Sequence, residues 1–138
     1  MRIVLDTYGW VEIFIGSEGG ERVRRIVEES EEVYTPTIVL AEVARKYLRE
    51  GFGEDEILER LDVIEYSSEV VPIDKRIALE AAKCYLELTE RAKREKLRVP
   101  SLFDAIVLAT ARVLGAKLLS GDEHFKGMDE VIWVSESR

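Results

Sequence analysis

Thiols and imidazoles are nearly missing from this sequence. It contains one cysteine, Cys84, and one histidine, His124. A single thiol makes no internal disulfide, and one thiol with one imidazole is too few ligands for a structural zinc site. Cys84 falls in an apolar-periodic stretch and reads as a small buried hydrophobe in a reducing compartment. No apolar run approaches the ~18 residues of a membrane span, and Asp6 arrives too early for the apolar region of a signal peptide. A cytoplasmic chain without membrane association is therefore expected. Positive charge is also short: 20 Lys+Arg face 28 Asp+Glu, a formal net charge of −8. That is the wrong sign for a general nucleic-acid coat, though not for an enzyme that gathers its acids around a cation. The glycine loop of the GTPases is missing, as are repeats, low-complexity tracts and an internal linker.

What the chain does have is apolar material at regular spacing. Hydrophobic residues make up 46% of its 138 positions, enough for one globular domain over residues 1–138 that buries roughly two-thirds of its unfolded surface. Arg2 to Leu5, an apolar run closed by Asp6-Thr7, predicts a buried strand. Gly9 to Ile15 predicts a short helix, and beyond Gly19-Gly20 the residues Val23, Ile26 and Val27 fall at helical spacing within Glu21 to Glu29. Val33-Tyr34 is a second strand. Thr35-Pro36 predicts an N-cap with proline at the first position of a helix that reaches Glu50 and stops at Gly51. Glu54 to Ile64 is helical by spacing, and Val70 to Ile73 is strand-like. Asp74 caps a long helix to about Arg94, and Ser101 opens another, apolar on nearly every side, that Gly115 ends. Lys117 to Ser120 and Val131 to Val134 complete about five short strands. Strands separated by helices long enough to cross over predict an α/β fold: a three-layer α/β/α sandwich with a central, mostly parallel sheet.

Four acids stand out by position. Asp6 and Asp122 each follow a strand, and the carboxyl ends of strands in an open parallel sheet border the crevice where ligands bind. Each also has an ordinary structural role, Asp6 as a helix N-cap and Asp122 in an Asx-turn. Asp104 completes a capping box with Ser101, yet the helix it opens is apolar all round, so the acid stands at the mouth of a buried element. Glu42 interrupts the apolar run Ile38-Val39-Leu40-Ala41. A surface pair with Lys46 at i+4, worth ~0.3–0.5 kcal/mol, is a weak reason for it. All four can meet at one sheet edge. Two carboxylates ~4 Å apart at an effective dielectric of ~20 repel by ~4 kcal/mol, so such a cluster protonates or holds a cation. Oxygen donors select Mg²⁺ or Mn²⁺ over zinc or copper.

Four segments carry a family resemblance. They are Ile3-Val4-Leu5-Asp6-Thr7, Thr35-Pro36-Thr37-Ile38-Val39-Leu40-Ala41-Glu42-Val43, Leu102-Phe103-Asp104-Ala105-Ile106-Val107-Leu108-Ala109-Thr110-Ala111, and Leu118-Leu119-Ser120-Gly121-Asp122-Glu123-His124-Phe125. In this order and at these separations the chain resembles, over essentially its whole length, the PIN-domain nucleases, and among them the VapC-type toxins of prokaryotic toxin–antitoxin pairs. The resemblance implies metal-dependent endonuclease action on RNA, with Asp6, Glu42, Asp104 and Asp122 as catalytic acids holding one or two Mg²⁺ or Mn²⁺ ions. It implies a supporting hydroxyl, here Thr7 or Ser120, on a carboxylate or a water at the metal. It also implies a cognate antitoxin and a homodimer contact near the Glu42 segment, for which Val43, Tyr47 and Phe52 are the candidate apolar surface.

An acidic site that cleaves a polyanion needs basic neighbours. Arg91 to Arg98 carries five positive charges and one negative immediately before the Asp104 helix. It reads as a solvated helix end or, with Lys93, Arg94 and Lys96 as substrate-binding residues, as a contact for the RNA backbone. His124, beside Phe125 in a turn segment, reads as a structural hydrogen-bonding residue, and Trp10, Phe14 and Tyr47 as core or interface residues rather than base-stacking platforms. A haloacid-dehalogenase type of enzyme needs a second acid two residues after Asp6, where Tyr8 stands. A receiver domain needs a phosphate-accepting Asp and a late Lys that are not convincingly placed. The remaining alternatives are a PIN-fold RNA-processing nuclease without an antitoxin and a non-catalytic PIN-fold binding module.

Overall fold

In chain order the elements are β1 (Arg2–Leu5), α1 (Thr7–Ile15), α2 (Glu18–Glu29), β2 (Glu32–Pro36), α3 (Thr37–Arg49), α4 (Glu54–Ser67), β3 (Glu69–Val71), α5 (Lys75–Glu95), α6 (Leu102–Leu114), β4 (Lys117–Ser120), a 3-10 turn (Glu123–Phe125) and β5 (Val131–Trp133). They belong to a computed structural model that describes residues 1–134; the last four residues of the expected 1–138 domain lie outside the described residues. The strands form one all-parallel sheet in the order β3-β2-β1-β4-β5. Ile3, Val4 and Leu5 of β1 and Leu118 and Leu119 of β4 are fully buried, as expected when both faces of a parallel sheet are covered. α1 packs on β1 and β4 and is covered by α2 and α3; α6 packs on β1, β2 and β4 and is covered by α5. The result is the three-layer α/β/α sandwich that the sequence predicts.

Register decides where the site lies. Leu5 pairs with Leu119, so the next residues, Asp6 and Ser120, emerge side by side at the carboxyl edge of the sheet. The buried stretch from Ala105 to Ala111 makes α6 the central helix of its layer. Its N-terminus, with Asp104, opens toward the same edge.

Several boundaries differ from the sequence expectation, each for an identifiable reason. Gly19 and Gly20 lie inside α2, which starts at the Ser17 cap. A Cβ at Gly20 would stand 2.0 Å from the Glu12 carbonyl oxygen, so glycine is what lets α2 cross α1 this closely. Thr35 is not an N-cap. Pairing of Thr35 with Val70 and Pro36 with Val71 keeps both residues extended in β2, and α3 starts at Thr37 without a side-chain cap. The buried Thr35 hydroxyl instead accepts from Trp10 Nε1 at 3.1 Å and pairs with Ser68 Oγ at 2.7 Å. α4 runs to Ser67, and β3 stops before Pro72.

Val43 and Tyr47 do not form a docking surface. With Val39 they repeat every four residues on the inward stripe of α3 and are 0% and 4% exposed. Phe52 packs on Tyr47 at a centroid distance of 4.8 Å, beneath the Arg60 guanidinium 4.5 Å from its own ring. The exposed apolar residues of this region are Leu48 and Leu58. Cys84 is buried on α5. Among the described residues no helix is long and apolar enough to cross a membrane.

Candidate metal centre

Three of the four singled-out acids perform their ordinary structural roles and still share one cleft. Asp6 caps α1, its Oδ1 accepting from the Gly9 N–H at 3.1 Å while its Oδ2 accepts from Ser120 Oγ at 2.6 Å. Asp104 closes a capping box on α6, its Oδ2 taking the Ser101 N–H at 2.9 Å while Ser101 Oγ takes the Asp104 N–H at 3.1 Å. Asp122 caps the 3-10 turn, with Oδ1 2.9 Å from both the His124 amide and His124 Nδ1. Ser120 joins two of them, since its Oγ also accepts from the Asp122 N–H at 3.0 Å. The turn between is tight: a Cβ on Gly121 would lie 2.3 Å from the Tyr8 ring.

The cleft has a volume of about 490 Å³ and is lined by Asp6, Thr7, Tyr8, Glu42, Asp104, Asp122 and His124, with Arg45 and Arg98 at its sides. Among the described residues no Lys or Arg forms an ion pair with Asp6, Asp104 or Asp122. Burial, with the nearby charges of Asp122 and Asp104, pushes the Asp6 carboxyl up to about 7 against the opposing hydrogen bonds from Ser120 and Gly9. Burial, aided by the charge of Asp122, also raises Asp104. For His124 burial works against the imidazolium, but bonds to the Arg98 carbonyl and Asp122 and the two acidic charges outweigh it, and its pKa is raised.

The chemistry of this donor set fits a divalent cation. One ligand atom from each of Asp104, Asp122 and His124 lies within 4.8 Å of the others. Negative charge exceeds positive in a half-enclosed space, and Thr7 Oγ1 is buried at the cleft without a hydrogen-bond partner among the described residues. Carboxylate and hydroxyl oxygens are the donors that hard divalent ions take.

Glu42 lines the same cleft outside that tight trio. Its Oε1 pairs with Arg45 at 2.9 Å rather than with Lys46, which is taken by Glu50. Lys93, Arg94 and Lys96 are exposed at the end of α5 and do not line the cleft; of this basic segment Arg98 does, joined there by Arg45 of α3. Arg91 turns inward, donating to the carbonyls of His124 and Lys126, so that α5 holds the turn carrying Asp122. Sequence reasoning missed Arg45, Arg98 and the reach of His124 into the acid cluster. The available signals were spacings: Arg45 three residues after Glu42 on a helix, and His124 two residues after Asp122.

A family model described as PIN domain matches residues 3–131. Among solved structures, a toxin–antitoxin complex from Klebsiella pneumoniae is similar over 99% of this chain and 100% of that chain, at 19% identity and a TM-score of 0.71. VapBC2 from Rickettsia felis, bound to a DNA fragment from its promoter, is similar over 96% and 97%, at 18% identity and a TM-score of 0.70. Mycobacterium tuberculosis VapC20, a Sarcin-Ricin loop cleaving toxin, is similar over 93% and 95%, at 19% identity and a TM-score of 0.65. At these identities the likeness is one of fold. No curated protein matches.

Proposed function

The chain belongs to the PIN-domain family, and from that premise we propose that, as one domain over residues 1–138, it is a Mg²⁺- or Mn²⁺-dependent endoribonuclease, the toxin of a cytoplasmic VapBC-type toxin–antitoxin pair. The observation that carries this reading is the convergence of Asp6, Glu42, Asp104 and Asp122 on one cleft in which, among the described residues, Asp6, Asp104 and Asp122 have no Lys or Arg partner. Unpaired acids repel a polyanion unless a cation stands between. The similar solved proteins add weight: two are toxin–antitoxin complexes, and VapC20 carries the description of a Sarcin-Ricin loop cleaving toxin.

One or two divalent ions, held there by Asp6, Glu42, Asp104 and Asp122, would supply the Lewis acidity that activates a water and offsets charge on the scissile phosphate. The protein's part is to hold and orient. Asp104 and Asp122 offer oxygens beside each other, and Asp6 is fixed by the Ser120 hydroxyl. Thr7 Oγ1, buried in the cleft wall without a hydrogen-bond partner among the described residues, is the second candidate for the supporting hydroxyl beside Ser120. Arg98 meets the phosphate backbone at the rim, and Lys93, Arg94 and Lys96 extend the basic path along α5. The antitoxin seats in the apolar groove between α3 and α4, lined by Ala44, Leu48, Ile57, Leu58 and Leu61. Arg45 also lines that groove while pairing with Glu42, which puts the groove's occupant beside the cleft. A second copy of the chain completes a homodimer.

The test is cleavage of a labelled structured RNA with Mg²⁺ or Mn²⁺ by the intact chain, Asp6→Asn and Asp122→Asn. Loss of cleavage in both variants and in chelator is expected; equal cleavage by all three rejects the site. Suppression of cleavage by the product of an adjacent small reading frame separates a toxin from a stand-alone RNA-processing enzyme.

A further inference from the structure

We propose that His124 is a nitrogen ligand of the cation in the acidic cleft, offering Nδ1 beside Asp104 and Asp122, and that this ligand tilts the site toward Mn²⁺ over Mg²⁺. The proposal rests on reading the cleft as a metal centre.

The orientation of the ring carries the argument. His124 Nε2 lies 2.8 Å from the Arg98 carbonyl oxygen. A carbonyl only accepts, so Nε2 bears the hydrogen, and Nδ1 is the nitrogen turned to the cleft. Metal-binding histidines are held in this way, one ring nitrogen donating to a backbone carbonyl while the other is presented to the ion. Among the described residues Nδ1 faces acid, Asp122 Oδ1 at 2.9 Å and Asp104 Oδ2 at 4.0 Å; without an ion it shares a proton with Asp122, and a bound ion takes that proton's place. Ligand atoms at about 2.0–2.2 Å from one ion are at most about 4.4 Å apart, so both separations allow a shared ion.

The ring is also held from every side. It is 4% exposed, its own amide donates to Asp122 Oδ1, and its carbonyl accepts from Arg91. A histidine that served only to tie the turn to Arg98 would need no acids around its second nitrogen. Mg²⁺ strongly prefers oxygen and keeps several waters, whereas Mn²⁺ and its later neighbours accept imidazole.

Because His124 is the sole histidine of the chain, the untagged protein provides its own label. Mn²⁺ is added to protein grown with natural-abundance or ¹⁵N-histidine, and electron spin echo modulation is recorded. The expected result is a nitrogen coupling that changes from the ¹⁴N to the ¹⁵N pattern, with Mn²⁺ affinity falling at least tenfold in His124→Ala and Mg²⁺ affinity falling less. Mn²⁺ bound through the acids, lost in Asp122→Asn but without any histidine coupling in the unmutated protein, overturns the ligand role and leaves the metal centre standing. Absence of Mn²⁺ binding, or binding indifferent to Asp122→Asn, overturns the metal centre and this proposal with it. The spectroscopic result needs no mutation, so a folding defect in a variant does not obscure it.

Discussion

Ser120 and Asp6, 114 positions apart in the chain, are joined by a buried 2.6 Å hydrogen bond from the Ser120 hydroxyl to Asp6 Oδ2. The pairing of β1 with β4 brings them together, and the same Ser120 oxygen accepts from the Asp122 amide. One hydroxyl thus sets the position of two acids of the cleft.

Removing that hydroxyl has two expected effects. Ser120→Ala leaves Asp6 buried with one donor fewer, which raises its pKa beyond about 7, because this bond is the largest influence holding it down. Losing the orienting partner of a metal carboxylate typically weakens metal binding about 10–100-fold. Calorimetric titration of the variant with Mn²⁺ measures the second effect; undiminished affinity contradicts the role assigned to Ser120.

Stability of the metal-free chain should fall as pH rises from about 4 to about 7. The unfolded chain releases the Asp6 proton near 3.8 and the folded chain near 7. Between those values the folded state holds more protons, so stability drops with rising pH, by on the order of 4 kcal/mol for a shift of this size. Asp104 and His124, both raised, act in the same direction. Urea midpoints in chelator at pH 4.5 and 7.5 reveal the slope. Asp6→Asn flattens it, and saturating Mn²⁺ restores stability at the higher pH.

Two glycines are expected to respond differently to alanine. At Gly20 the added carbon meets the Glu12 backbone at 2.0 Å, so only separation of α1 from α2 makes room. At Gly121 it meets the Tyr8 side chain at 2.3 Å. Overpacking typically costs about 1–3 kcal/mol. Tyr8→Ala should recover most of the loss in Gly121→Ala, while no side-chain truncation recovers Gly20→Ala. Urea unfolding of the single and double variants decides this.

The basic end of α5 is tested by salt. If Lys93, Arg94 and Lys96 each meet a phosphate, replacing all three by Ala lowers the slope of log affinity against log salt by about 2 on single-stranded RNA. An unchanged slope removes these three residues from the RNA contact.

The sheet, its helices and the positions of the four acids were legible because burial leaves a plain trace in sequence: apolar runs for the central strands, an all-apolar α6, and acids that end a strand (Asp6, Asp122), open that helix (Asp104) or interrupt an apolar run (Glu42). What stayed hidden depended on contacts between distant segments. The Gly19-Gly20 pair looks like a break until α1 lies across it. Thr35 has the chemistry of a cap but is held extended by β3. Tyr47 resembles an interface aromatic, yet the repeat of Val39, Val43 and Tyr47 faces it inward. His124 could be read as a turn residue from its neighbours, whereas the acids that face its ring come from two directions in the fold.

The strand order also governs when the acidic cleft can assemble. Among the described elements β1 precedes its sheet neighbour β4 by six helices and two strands, and the Asp122 turn follows β4. A ribosome that has produced the chain only through α5 therefore carries an open sheet edge and no assembled cleft. On the ribonuclease reading proposed above, the nascent chain is harmless to its own message until β4 and the Asp122 turn have been made and have joined β1.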